Sequence, residues 1–312
     1  MLRALLGLLL LWPVLGHCDY AFAVNAPRLG NKGAQWEELA NHFAAWLGQP
    51  VKVVGQPPNR IGRELATGHL DFALVNPVTA VELIQGGTAV PIASLKLNGS
   101  TQFAGAIIVH RDSPIQSVHD LRGRQVLAYQ ERSAGAYLFQ MYHLIQSGYD
   151  PRVFLGRVRQ GINQDIIPIL VAEQRVDVGF VRSGILEALQ REGRLDTSRI
   201  RVLDERRDLL AERHSTDLYP EWILVSASHA SQAVLEKLRR AALSVTPEMS
   251  AARAAGIDGF VPPLKLDGVE RAMRALGLLL PRAKCSTESA GGCPRGVARQ
   301  MGAGQLELPR GR

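Results

Sequence analysis

The sequence predicts a two-lobed α/β protein in which two mixed or parallel sheets are flanked by helices and a ligand cleft lies at a two-strand hinge. Three observations lead there. Short apolar runs alternate with amphipathic helix patterns almost throughout, as expected of parallel-type sheets covered by helices. The alternation forms two successive series, and the second is inserted into the first if EWILVSA (221–227) returns to the first sheet. Small polar residues recur where strands end and helices begin, the place where open α/β sheets keep their ligand crevice. Lobe 1 then comprises 17–104 and 222–280, lobe 2 comprises 105–221, and two strands near 104–110 and 218–226 cross between them.

The elements follow in order. YAFAVNA (20–26) reads as an apolar strand. In GAQWEELANHFAAWLG, Trp36, Leu39, Ala40, Phe43 and Leu47 fall on one helical face, and Gly48 with Pro50 end the helix before the strand VKVV. NRIGRELATGHL reads as a helix and DFALV as a strand. PVTAVELIQ is a helix opened by Pro77, whose missing N–H costs nothing in a first turn. AVPIASLKL and FAGAIIVH are further strands. The second series runs SVHDLRGRQVLAY, a helix over 134–147 ended by Gly148, VFLGRV, a helix over 163–174, VDVGFV, a helix over 184–192, and RIRVLD. EWILVSA is the returning strand, and 229–244, 247–255 and 266–278 read as helices. From Pro281 the composition turns to Gly, Arg, Ser and Pro, an irregular tail over 281–312.

Composition narrows the function class. Aromatic residues make up 6% of the chain, too sparse for a stacking platform for single-stranded nucleic acid. The formal charge of +7 is spread along the chain, which leaves a basic solvated surface or an anionic ligand and argues against a nucleic-acid patch. MLRALLGLLLLWPVLG has one Arg, an apolar run too short for a stable membrane anchor, then small residues, the pattern of a secretory signal peptide. Val14 and Gly16 suit the small-residue positions before a cleavage after Gly16, so residues 1–16 are expected to be removed and the protein exported to the periplasm. Cys18 invites a lipid anchor, but His17 stands where a small residue is expected. No other run is long and apolar enough to span a membrane. In the tail, Cys285 and Cys293 are spaced to close a small disulfide loop or to remain free thiols; two thiols without a nearby histidine do not make a zinc site.

The motifs of common enzymes are missing: no nucleophile elbow, phosphate loop or dinucleotide glycine fingerprint follows a strand, and the histidines have no metal-ligand spacing. Strand–turn–helix junctions recur instead. Asn76-Pro77-Val78-Thr79 follows DFALV, Ser133-Ala134-Gly135 follows RQVLAY, and Arg182-Ser183-Gly184 follows DVGFV. Each is an ordinary cap or a set of bare N–H groups with a hydroxyl or amide offered to an anion. Arg182 adds a guanidinium that can fork onto an oxyanion, and Arg28, past the first strand, is a second cation. In HSTDLYPEWILV (214–225), Tyr219 and Trp222 suit hinge packing, while His214 or Thr216 could stand at the cleft rim as donors. His214 is also the one base available if the fold carries an enzyme acting on a small anion.

GRELATGHLDFALVNPVTAVE resembles the G-x-x-D-x-A-x-x-x-P step of the phosphonate-binding-protein-like branch of periplasmic solute-binding proteins. ERSAGAYLF resembles that branch's serine-rich ligand loop, and DIIPILVAEQRVDVGFVRSGILEAL resembles its second G-x-x-D-x-G step. Matching steps run from about 20 to 280, and VRSGILEAL with HSTDLYPEW is similar to the sensor portion of tetrathionate-type sensor kinases. The resemblance implies the type 2 periplasmic-binding fold and a monomeric receptor without cofactor, catalytic residue or metal. It would present a small anion to an ABC permease or a membrane sensor kinase. With the junctions described above, the expected ligand contacts are Arg28, Asn76, Thr79, Ser133, Ala134, Gly135, Arg182, Ser183 and His214. Ala134 and Ala136 replace expected hydroxyls, Gln164-Asp165 replaces a His-Asp pair, and no carboxylate is assigned to a ligand ammonium. These departures favour a small phosphorus or sulfur oxyanion over an aminoalkylphosphonate.

Overall fold

A computed structural model describes residues 19–24 and 33–279. The expected signal peptide, Cys18, Arg28, Cys285, Cys293 and the tail lie outside the described residues. The first series forms β1 (Tyr20–Val24), α1 (Ala34–Leu47), β2 (Val51–Val54), α2 (Pro58–Thr67), β3 (Phe72–Val75), α3 (Pro77–Gln85) and β4 (Ala89–Lys96). After β5 (Gln102–Phe103) come β6 (Gly105–His110), β7 (Val126–Ala128), α4 (Phe139–Gln146), α5 (Pro151–Phe154), β8 (Val158–Gln160), α6 (Ile166–Ala172), β9 (Val178–Arg182), α7 (Ile185–Arg191) and β10 (Ile200–Val202). The return carries β11 (Tyr219–Pro220), β12 (Ile223–Ala227), α8 (Gln232–Leu243), α9 (Ser250–Ala255), β13 (Gly259–Val261) and α10 (Asp267–Ala275).

Two mixed sheets result. The six-stranded sheet has the order β13-β4-β12-β3-β1-β2, and the five-stranded sheet β10-β6-β9-β7-β8. β1 runs parallel to β2 and β3, whereas the returning β12 inserts antiparallel between β3 and β4. In the second sheet β7 is parallel to β8 and β9, and β6 is antiparallel to β9 and β10. Between the sheets, β5 and β11 pair as a short antiparallel ribbon with Tyr219 opposite Phe103. The crossing segment expected over 218–226 is therefore two strands, and Glu221 and Trp222 form the joint between them.

Packing explains the apolar patterns. Trp36, Leu39, Ala40, Phe43 and Leu47 of α1 are all buried, and Phe22, Phe43 and Phe72 pack with ring centroids 5.4–5.9 Å apart. Tilted and edge contacts at this spacing are the favoured aromatic geometries. Every residue of β6 is buried because both faces of its sheet are covered: Ile107 and Val109 join one core, Ala106 and Ile108 the other. Another cluster lies where the sheets meet. There Tyr219 stacks on Phe139 at 3.7 Å, and α10 packs against both α3 and α4.

Three local expectations are corrected. VFLGRV is not a strand: Pro151 opens a one-turn helix whose first N–H groups are capped by Asp150, and the strand begins only at Val158. The helix expected over 134–147 is α-helical only from Phe139. Residues Ala134–Leu138 form a π turn, with Leu138 N–H bonded to Ser133 O at 3.0 Å and Ala136 at φ −125°, ψ 21°. The helix expected over 163–174 is confined to Ile166–Ala172.

Candidate functional site

Two neighbouring cavities lie between the sheets, of about 710 and 530 Å³. Phe103, Tyr129, Gln164, Arg182 and Trp222 line both, so they form the wall where the cavities meet. In the larger cavity, Asn76 and Thr79 at the start of α3 face the Ser133-Ala134-Gly135 turn from the other sheet.

The two helix starts differ in how they are terminated. The Asn76 side chain caps its own helix, accepting Thr79 N–H at 3.1 Å and donating to Thr79 Oγ1 at 3.3 Å. Ser133 makes no such cap, and among the described residues no group is hydrogen-bonded to the N–H groups of Ala134, Gly135, Ala136 and Tyr137. A helix's first donors have no intrahelical partner, and here the helix dipole and these N–H groups favour a negative charge beside the cavity. Gly135 is required by close approach: a Cβ there would meet Phe103 Cε2 at 2.7 Å and Ala104 O at 3.2 Å.

Arg182 ends β9 with its guanidinium stacked over Phe103 at 4.2 Å, and it pairs with Glu221. The second Glu221 oxygen accepts Trp222 N–H at 3.3 Å. Glu221 is 2% exposed; burial pushes its carboxyl above the usual range, and Arg182 pulls it back. Glu221 is the charged cavity-lining residue that sequence reading missed. The chain brings a carboxylate to the smaller cavity, held by the arginine expected to be free for an oxyanion. Its one sequence signal is a lone glutamate before Trp222 and an otherwise apolar strand. A second ion pair joins Arg132, next to the turn, to Glu82 of α3 across the larger cavity.

The other expected residues fare differently. Ser183 borders the smaller cavity, but its hydroxyl oxygen accepts Ala104 N–H at 3.1 Å while its own N–H donates to Ala104 O at 2.9 Å. His214 is fully buried, with its ring between Glu212 O at 2.8 Å and Asp208 Oδ2 at 3.2 Å, and it lines neither cavity. Thr216 likewise faces inward: its Oγ1 accepts Gly105 N–H at 2.9 Å, and Ser215 Oγ accepts Ile107 N–H at 2.9 Å. Segment 214–216 thus satisfies the backbone of β6 beyond the end of β10 and offers no rim donor. Arg28 lies outside the described residues.

Residues 31–267 match the family model described as the phosphonate ABC-transporter periplasmic substrate-binding protein. The chain belongs to this phosphonate-binding periplasmic family. The family is described as the periplasmic substrate-binding component of a phosphonate ABC transporter. The tetrathionate sensor histidine kinase TtrS of Salmonella typhimurium is 25% identical over 239 residues, covering 73% of this chain and 40% of the kinase. The chain thus spans less than half the length of that relative. Among solved structures, a Xanthomonas citri protein bound to chloride has a TM-score of 0.69 at 18% identity, covering 83% of this chain and 98% of that one. PhnD1 of Prochlorococcus marinus in complex with methylphosphonate has a TM-score of 0.66 at 14% identity, covering 84% and 99%. These likenesses establish the two-lobed fold of the phosphonate-binding family for this chain. Among the described residues no helix is long and apolar enough to cross a membrane.

Proposed function

We propose that this member of the phosphonate-binding family captures a small oxyanion between its lobes. The single observation that carries this reading is the run of uncapped N–H groups at Ala134–Tyr137, whose first two residues, Ala134 and Gly135, line a cavity also bordered by Thr79 and Arg182. The amides give directional hydrogen bonds, Thr79 adds a hydroxyl, and Arg182 shares its guanidinium between Glu221 and the ligand. Lobe 1 is taken as 17–104 with 222–280 and lobe 2 as 105–221, in keeping with the division of strands between the two sheets. Closure is favoured by contacts made only when both lobes meet the ligand. Residues 1–16 act as the export signal to the periplasm. An ABC permease or a membrane sensor kinase reads the closed form; the family description supports the first partner and the kinase relative the second.

Calorimetry of the exported form against phosphate, methylphosphonate, phosphite, sulfate, thiosulfate and tetrathionate tests the reading. Saturable heat with at least one anion is expected, and silence across the panel, together with no thermal shift, sinks it. Turnover of a bound compound would instead establish an enzyme. Ser183 has a separate expected outcome. Ser183→Ala leaves the buried Ala104 N–H without its side-chain partner, a loss of about 1–3 kcal/mol of unfolding free energy, with anion affinity unchanged. Weaker binding at unchanged stability would return Ser183 to the ligand.

A further inference from the structure

Gln140 is the second residue of α4, completely buried, and belongs to no described feature of the cleft. Its Nε2 faces three backbone carbonyls, at 2.8 Å to Gly135 O, 2.9 Å to Val181 O and 3.3 Å to Ala106 O. Three acceptors around one atom identify that atom as the amide nitrogen; with two hydrogens it serves them by sharing. Its Oε1 is buried without a partner among the described residues, a cost that an apolar side chain of the same length would avoid.

The three carbonyls belong to the three pieces of chain that meet at the site. Gly135 lies in the uncapped turn, Ala106 lies where the crossing chain enters the second sheet, and Val181 directly precedes Arg182. Pairing of β7 with β9 stops at Gly179, and beyond it Val181 of β9 stands directly opposite Ala106 of β6. The Gln140 amide thus sits over this directly opposed pair and ties the turn to the end of β9 through Gly135 O and Val181 O. The seat is shaped for it: a Cβ on Gly105 would fall 2.5 Å from Gln140 Nε2.

We infer that Gln140 is a positioning residue that sets the orientation of the Ala134–Tyr137 amides relative to Arg182, without touching ligand itself. This rests on the oxyanion reading above. Holding Gly135 O from within the sheet fixes the peptide planes of the π turn, so the N–H groups reach the cavity at a set angle and a set distance from the guanidinium. An amide that merely filled a gap in the core would leave binding unaffected once stability was matched.

The test uses the exported protein with methylphosphonate as probe and three variants. Gln140→Met keeps the volume and removes the donor; Gly105→Ala keeps the glutamine and pushes its amide off the carbonyls. Leu144→Ala removes buried side chain from the same helix, away from the turn, and serves as the stability-matched control. Both Gln140→Met and Gly105→Ala are expected to weaken binding by about tenfold or more, as for loss of a pre-organised donor set, and Leu144→Ala to leave it within about twofold. Hydrogen exchange should quicken at Leu138 and Phe139, whose N–H groups close the π turn onto Ser133 O and Ala134 O, only in the first two variants. Affinity equal to wild type in either variant overturns the role of Gln140, and Gly105→Ala decides alone if Gln140→Met does not fold. If wild type binds no anion of the panel while folded, the oxyanion reading fails, which is a different outcome from equal affinities.

Discussion

Replacing Ser133 with aspartate is expected to abolish oxyanion binding, by about a hundredfold or more, without lowering stability. The two halves of this result have one cause. Ser133 precedes four N–H groups that no group in the described structure accepts from. Aspartate is among the best N-cap residues, and its carboxylate would accept those donors and place a negative charge where the ligand's charge belongs. The unfolding midpoint should therefore stay level or rise while calorimetric heat disappears. A variant that melted earlier and still bound would show that the turn is structural only; unchanged affinity would remove it from the site.

Glu221→Gln is expected to act in the opposite direction and raise anion affinity about tenfold, because it frees the Arg182 guanidinium and removes a like charge. Its effect on stability depends on pH, with a definite sign. Burial raises the Glu221 carboxyl above its unfolded value, so the folded state holds that proton more tightly than the unfolded chain does. The stability it contributes is complete below the unfolded glutamate pKa and is lost as pH rises through the folded one. Glutamine cannot titrate, so the variant should lose less stability than wild type as pH rises across that window. Unfolding free energies measured at several pH values on both proteins check the slope, and calorimetry at neutral pH checks the affinity. Weaker anion binding in Glu221→Gln would mean that Glu221 orients Arg182 for the ligand instead of competing with it. Breaking a buried pair usually costs several kcal/mol, but Arg182 keeps partial exposure at 20% and its stacking on Phe103, which limits the loss.

The elements legible in the sequence were those set by local periodicity or local caps. The face of α1 was readable because the 3.6-residue repeat of Trp36, Ala40, Phe43 and Leu47 leaves one way to bury them. The start of α3 was readable because Asn76 and Pro77 act on their own backbone. VFLGRV was misread because strand propensity in Val153 and Phe154 gave way to the Asp150-Pro151 helix start. The π turn escaped notice because Ala134, Ala136 and Leu138 are good helix formers that mask Gly135 between them, and the turn's distortion accompanies the close contacts of Gly135 with Phe103 and Gln140.

The site divides in the same way. Asn76, Thr79, Ser133, Ala134, Gly135 and Arg182 were singled out at the junctions, and the fold brings all six to line the larger cavity. Ser183 and His214 looked alike as polar residues in the sequence, yet one holds Ala104 in the crossing chain and the other is sealed between Glu212 and Asp208. By itself the sequence determined the alternation of strand and helix, the insertion of one series in the other, and the strand ends where polar side chains collect. Only the tertiary structure decided which of those side chains are spent on the protein's own backbone and which charge faces Arg182. The reason is that a cap is satisfied within a few residues, whereas Arg182 meets Glu221 across 39 positions and Ser183 meets Ala104 across 79. Such partners are chosen by the folding of the sheets around the crossing strands, not by any neighbour along the chain.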